Sequence, residues 1–329
     1  DVYKRQVRYI AEGTLWKMGN MFQLSIELYD TKDDKVVWSD RWQEKWDNLP
    51  TIKGNLSDGL LKALDTKPKV EKQLDTTNTE AYELYLKAKH KYEKRENTND
   101  TEIARGLLNK AIEFDDSLIV AKILLGTTYR EMGDYDKAMR IYTPTLSQSE
   151  KLIDKYGAGN CLNSIGAVYQ YKTEYDKALD FFNRSFEIFE ELDNKRWMNS
   201  SLNKIGQVYY YKGEFDKALD YLEKILSDKK EIGLGPNELL EISTFIYLNY
   251  KHISKHYEIK EIHSLIKDVK MIQYDLNLHL YELLEDNSYL EKAYNQIQDK
   301  ANAMQDEIKD KFLGYPIPKQ IIKEYNKVF

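Results

Sequence analysis

Hydrophobic and polar positions along the chain repeat at two lengths. The short one is helical: Leu162, Ile165, Gly166 and Tyr169 fall at i, i+3, i+4 and i+7, and Ala178, Phe182 and Ser185 continue at i, i+4 and i+7, which lines up one stripe on each of two successive helices. The long one is forty residues: LNSIGAVYQYKTEYDKALDFF at 162–182 returns as LNKIGQVYYYKGEFDKALDYL at 202–222. A third copy lies forty residues upstream, with Leu125-Gly126, Tyr129, Tyr135 and Asp136-Lys137-Ala138 at the same offsets. Each unit is therefore expected to be a helical hairpin. Gly133 and Gly213 follow the first helix, where a left-handed residue closes it best, and Thr173 holds that place in the middle copy. Gly126, Gly166 and Gly206 sit inside the first helix, where glycine costs about 1 kcal/mol against alanine. Close approach of the partner helix is the expected reason.

Outside these copies the periods weaken or change. From Val7 to Met18 the residues are strand-like, and Phe22, Leu24, Ile26 and Leu28 alternate with Gln23, Ser25 and Glu27 as in a half-buried strand. A polar turn from Thr31 to Lys35 leads to a returning strand, with Val36, Trp38, Asp40 and Trp42 alternating with Val37, Ser39 and Arg41. After Asp47, Ile52, Leu56, Leu60 and Ala63 predict a short amphipathic helix. These pieces make a poor independent core, so a segment upstream is expected. Residues 66–79 are polar and proline-bearing, which reads as a linker. A degenerate first repeat is expected next, with one helix at Ala81, Leu84, Tyr85 and Ala88 and another at Ile103, Leu107, Leu108 and Ala111. Beyond Leu234-Gly235-Pro236 the motif decays while helical periods persist, and Tyr281, Leu284, Leu290, Ala293 and Ile297 recover the repeat offsets. Pro144 falls inside a second helix, where a kink or early stop is expected. Pro316 and Pro318 should break the last helix, leaving Ile321, Ile322 and Tyr325 to fold back as a lid.

The positions Gly126/Tyr129/Ala138/Tyr142, Gly166/Tyr169/Ala178/Phe182 and Gly206/Tyr209/Ala218/Leu222 resemble the tetratricopeptide repeat, a hydrophobe-Gly-x-x-Tyr in one helix followed by Ala-x-x-x-aromatic in the next. The forty-residue period exceeds that family's usual value of about thirty-four, which implies longer helices, and the repeat-ending proline is absent. The stretch VRYIAEGTLWKMGNMFQLSIELYDTKDDKVVWSDRW resembles the end of the TolB-like α/β module that precedes such arrays in bacterial class III adenylate/guanylate cyclases and in winged-helix transcriptional regulators. Glu80-Ala81-Tyr82-Glu83-Leu84-Tyr85-Leu86 resembles the opening of the cyclase-associated arrays. The expected fold is thus mainly α, a tetratricopeptide-type helical-hairpin superhelix preceded by a partial small α/β module. The expected domains are 1–65 for the module, 66–79 for the linker, 80–275 for the repeats, and 276–329 for a degenerate terminal repeat and cap. Residues 1–6 resemble adapter-derived starts of metagenomic reading frames and are set aside.

Composition narrows the function. With 32% charged and 42% apolar residues the chain should fold with ample core, and a net charge of −6 argues against nucleic acid as the main partner. The single cysteine, Cys161, cannot form an internal disulfide and is expected as a small core residue, which fits a reducing, cytoplasmic location. No apolar run approaches the length needed to span a bilayer. His252 and His256 have a helical metal-ligand spacing, but no third ligand is evident, and a solvated lysine-rich face from Lys251 to Lys260 is the alternative. Glycine-rich phosphate loops and Gly-x-Ser-x-Gly elbows are missing. Tyr209-Tyr210-Tyr211 with Tyr171 could stack bases, yet the basic groove for that is lacking. No catalytic residue, metal or cofactor is therefore expected; on the cyclase resemblance, the catalytic groups belong to a domain upstream.

What remains is binding. Residues one step beyond each packing stripe lie about 100° around the axis: Asn163, Ala167 and Gln170, then Asn203, Gln207 and Tyr210. Stacked repeats would align them along a concave wall facing a peptide or partner domain. Asn163, Gln170, Asn203, Gln207 and Tyr210 are the candidate partner-binding residues; the alternative for Asn163 and Asn203 is that they bond neighbouring helices.

Overall fold

The structure, a computed structural model, describes residues 9–18, 21–30, 32, 35–45, 78–95, 98–227 and 234–329. By its internal contacts the chain divides into two compact units, Asp1–His90 with Asn109–Leu118 and Lys91–Leu108 with Ile119–Phe329.

In the first unit, β1 (Tyr9–Met18), β2 (Met21–Asp30) and β3 (Lys35–Lys45) form an antiparallel sheet in the order β1-β2-β3. The alternation in β2 puts Phe22, Leu28 and Asp30 on one buried face. Leu24 faces Trp42 and Leu28 faces Trp38 across the β2–β3 pair, and the two tryptophan rings lie 6.1 Å apart. Strict alternation fails at one point. Tyr29 pairs with Val36 although Leu28 pairs with Trp38, so Val37 is bulged out. The helix expected over Ile52–Ala63 lies outside the described residues, as does the linker up to residue 77. Asn78 opens helix α1 (Thr79–Glu93) by accepting from the Glu80 and Ala81 amides at 3.0 and 3.2 Å. Helix α2 (Thr98–Phe114) follows, its residues 98–108 belonging to the second unit and 109–114 to the first.

The second unit is built of helical hairpins: α3 (Ile119–Glu131), α4 (Tyr135–Lys151), α5 (Lys155–Tyr171), α6 (Tyr175–Glu191), α7 (Lys195–Tyr211), α8 (Phe215–Ser227), α9 (Pro236–His252), α10 (Ile259–Asp268), α11 (Tyr274–Leu284), α12 (Asn287–Asn302), α13 (Asp306–Gly314) and α14 (Pro316–Val328). The forty-residue period has a direct geometric origin, because α4 to α7 are each 17 residues long and are joined by three-residue turns. The helices are indeed long for the repeat they resemble.

Each turn has one left-handed residue: Gly133 at φ 82°, Ile153 at 55°, Thr173 at 58°, Asp193 at 47° and Gly213 at 76°. Around Thr173 the pattern is a Schellman closure, in which Glu174 N donates to Tyr169 O and Thr173 N to Gln170 O, both at 2.9 Å. The equivalent bonds close α3 at Tyr129 and α7 at Tyr209. Asp134, Asp154 and Asn194 then cap the next helix through their side chains.

The glycines inside the first helices are where the partner helix comes close. A Cβ on Gly166 would meet the Phe182 ring at 2.7 Å, and one on Gly206 would meet Leu222 Cγ at 2.7 Å. The motif residues around them have distinct jobs. Ala138, Ala178 and Ala218 are fully buried. Lys137, Lys177 and Lys217 lie over the rings of Tyr129, Tyr169 and Tyr209.

Pro144 does not end its helix. Helix α4 continues to Lys151 with Tyr142, Thr145 and Ser149 buried around it, so tertiary packing overrides the local cost of the missing amide donor. At the far end, α13 stops before Tyr315 and Pro316 takes the first turn of α14. Helix α14 folds back: Ile321 is fully buried with Tyr274, Leu278, Leu290, Ala293 and Ile297, and Tyr325 stacks on Tyr294 at 3.8 Å. Among the described residues no helix is long and apolar enough to cross a membrane.

Candidate functional site

The first helices of successive hairpins, α3, α5, α7, α9 and α11, send side chains into one cavity of about 100 Å³, and the start of α14 closes part of its rim. Their repeat spacing brings Ala167, Gln170 and Tyr171 of α5 beside Lys204, Gln207 and Tyr211 of α7. Glu241 and Phe245 of α9 come next, then Asp275 and His279 of α11, with Arg130 at the end of α3.

One wall is a hydrogen-bonded ladder across three helices. Gln170 donates to Gln207 Oε1 at 3.3 Å, and Gln207 donates in turn to Glu241 Oε1 at 2.8 Å. Asn203 donates to Glu241 Oε2 at 3.3 Å and Lys204 Nζ reaches Oε1 at 2.9 Å. Burial alone would raise the Glu241 carboxyl, but Lys204, Gln207 and Asn203 outweigh it and hold this group below the usual glutamate range. It is therefore an anion fixed by its neighbours.

One turn further along α7 and α9 the lining becomes aromatic. The Tyr171 hydroxyl donates to Asp275 Oδ2 at 3.0 Å, and the Tyr211 hydroxyl lies 2.8 Å from His279 Nε2, whose Nδ1 is 3.0 Å from Glu282. Tyr211, Phe245 and His279 form a contiguous ring cluster. Burial pushes the phenols of Tyr171 and Tyr211 well above their ordinary value, so both act as neutral hydroxyls. Arg130 brings an unsaturated donor: its Nε is buried without a hydrogen-bond partner, and Nη2 is 3.8 Å from Glu131.

The five candidate residues fall in two groups. Gln170 and Gln207 line the cavity. Asn163 instead donates to Ser201 at 3.4 Å, Asn203 is buried against Glu241, and Tyr210 packs among Phe215, Phe245, His252 and His279. Arg130, Lys204, Glu241, Asp275 and His279 were not singled out from the sequence. Lys204 and Glu241 could have been sought on the groove side of α7 and α9, whereas Arg130 and Asp275 lie where the motif gives no cue.

Two other candidates resolve simply. His252 stacks face to face on Phe215 at 4.4 Å. Cys161 is buried, and burial pushes its thiol up to about 12. Among the described residues no group of three or more His, Cys, Asp or Glu is placed to hold a metal ion.

The tetratricopeptide-repeat family model matches residues 117–191 and 162–231. No curated protein sequence matches the chain. Among solved structures, a Rap protein complexed with competence and sporulation factor is similar at TM-score 0.53 and 14% identity, over 83% of this chain and 79% of that one. The Pseudomonas aeruginosa protein PilF is similar at TM-score 0.43 and 16% identity, over 66% of this chain and 90% of that one. Residues 117–231 thus form tetratricopeptide repeats, and they lie within a tetratricopeptide-type array of helical hairpins.

Proposed function

We propose that this chain is a protein-interaction module whose groove, walled by the first helices of the repeats, binds a peptide or a segment of a partner protein. The observation that carries the reading is the convergence of five first helices on one cavity lined by amide, hydroxyl and paired charged groups. Gln170 would contact the ligand, Gln207 would present Gln170, and Asn163, Asn203 and Tyr210 would hold the wall in register. Tetratricopeptide repeats generally mediate protein–protein contacts, and the similar Rap fold is seen with a bound factor. The family that matches is not an enzyme family, which supports a non-catalytic role.

The context we infer is the C-terminal part of a bacterial signalling protein such as a nucleotide cyclase, with a TolB-like module before the array and the catalytic domain upstream. The resemblance of 7–64 to that module supports this, and the antiparallel hairpin over β2 and β3 is compatible with it. A winged-helix regulator carrying the same C-terminal parts is the alternative, and the reading frame upstream of Val7 separates the two.

Screening the chain against an array of short random peptides tests the binding reading. Gln170→Ala should weaken the selected peptides about threefold to tenfold, the worth of one hydrogen bond, with the melting temperature held. Doubling the salt concentration should change affinity little, because Lys204 and Glu241 already pair with each other. Peptides that bind Gln170→Ala as tightly as the unaltered chain would place recognition elsewhere.

A further inference from the structure

The C-terminal helices of the second unit return to its α3–α4 turn. Residues 300–315 touch the turn between α3 and α4, far away in sequence. Lys300 Nζ donates to the Glu131 carbonyl at 3.0 Å, Lys311 Nζ is 3.6 Å from Asp136, and the Tyr315 ring packs on Tyr135 at 4.5 Å. The central contact is Phe312, fully buried, whose ring lies where a Cβ of Gly133 would be.

The repeat offers its own control for that glycine. Thr173 and Gly213 occupy the same turn position, and Thr173 adopts the left-handed conformation at φ 58°, so the turn itself tolerates a side chain. A Cβ on Gly213 would meet nothing within 4 Å. Gly133 therefore does more than close a helix: it leaves the notch that Phe312 fills. Directly after this contact, Tyr315 leads into α14, whose Pro316, Ile317 and Gln320 form part of the rim of the groove, with Gln320 bonded to Glu282 of α11 at 2.9 Å.

We propose that this seam is a clasp: Phe312 in the Gly133 notch and Tyr315 on Tyr135 hold the C-terminal helices across the groove, and release of the clasp admits the ligand. The proposal rests on the reading of the groove as a binding surface. The seam is suited to opening because two of its contacts, Lys300 on the Glu131 carbonyl and Lys311 on Asp136, are polar.

The test uses the full chain and needs no ligand. Ala167→Cys puts a thiol on the groove wall, and its rate of reaction with a small maleimide reports opening; Cys161, fully buried nearby, serves as the internal reference for global unfolding. Adding Gly133→Thr should speed labelling at position 167 about tenfold, the factor set by about 1.4 kcal/mol of lost closure, while Cys161 stays as slow as before. Gly213→Thr, the same change at the open turn, should alter neither rate. Tyr315→Ala, which removes a seam contact without touching the turn, should move position 167 in the same direction. Equal rates at position 167 with and without Gly133→Thr or Tyr315→Ala, or acceleration of Cys161 in step with it, would overturn the clasp. If the clasp opens as described yet no peptide binds, the gating stands and the choice of ligand falls.

Discussion

The middle repeats and the C-terminal hairpins hold together by different rules. Between α4 and α8 contacts recur forty residues apart. Tyr169 stacks on Phe181 as Tyr209 does on Tyr221, at 5.4 and 5.6 Å. Lys172 pairs with Asp136 as Lys212 does with Asp176, at 2.9 and 2.7 Å. From α10 onward the helices run 10, 11, 16, 9 and 13 residues. Their contacts are single: a tyrosine pair, a phenylalanine in a notch, a lysine on a carbonyl. A translationally repeated interface constrains each residue twice, once towards each neighbour, and so stamps a period on the sequence. A terminal interface is used once and leaves no period to find.

The sharpest way to break the comparison is to overpack a repeated contact. A leucine at position 206 has no room, because even a Cβ would come within 2.7 Å of Leu222 and 3.3 Å of the Ala218 carbonyl. Gly206→Leu should cost about 1–3 kcal/mol and lower the melting temperature of the whole array, since repeat stability is shared with neighbours. The same residue at exposed position 180 should cost far less. Equal melts for Gly206→Leu and Asp180→Leu would disprove close packing at that glycine.

This contrast also explains what could be read in advance. The hairpins, the left-handed place held by Thr173 and the close approach at Gly166 and Gly206 all follow from offsets that recur. The continuation of α4 through Pro144 did not, because Tyr142, Thr145 and Ser149 pack that helix from outside its own sequence. The clasp was equally hidden: Gly133 and Gly213 look identical as letters, and only the fold sets Phe312 against one of them. In the groove, Gln170 and Gln207 follow from the angle around the helix. Arg130 and Asp275 do not, since they reach the one cavity from helices far apart in the chain.

A smaller effect distinguishes the seam from the repeats by pH. Lys300 is half-buried at the seam, and desolvation there lowers its amine from 10.5 to about 8; Glu131 and Asp275 oppose that shift while Arg95 and Arg130 reinforce it, and the Tyr274 ring lies beneath the amine at 4.4 Å. The unfolded chain thus holds this proton more tightly than the folded one between about 8 and 10.5, so stability rises with pH across that window. Above about 10 three tyrosines with raised values act oppositely. Tyr171, Tyr211 and Tyr274 keep their protons in the fold and lose them on unfolding, so stability then falls. Urea melts should show a rise above pH 8 that is absent in Lys300→Met, followed by a fall in both. A rise that survives in Lys300→Met would place its origin elsewhere.

The smallest expected effect lies where the two regions share one residue. Asp136 takes Lys172 from the next repeat at 2.9 Å and Lys311 from the C-terminal helices at 3.6 Å. Its carboxyl is held below the usual aspartate value of 3.8 first by the Lys172 hydrogen bond, against a burial penalty, and then by the charges of both lysines. With a depressed folded value, its contribution is fully present above 3.8 and is lost as pH falls below it. The side chain is nearly half exposed, so solvent screens the pairs and Asp136→Asn should cost only about 0–1 kcal/mol at low salt, less at high salt. Hydrogen exchange locates the loss. If the repeat pair dominates, amides at the end of α5 around Tyr169–Tyr171 should exchange faster in Asp136→Asn. If the clasp draws on this carboxylate, the amides of α13 should follow. The 2.9 Å contact is shorter and supplies the larger share of the shift, so α5 should respond more than α13. A response confined to α13 would show that the seam depends on Asp136 more than the repeat does.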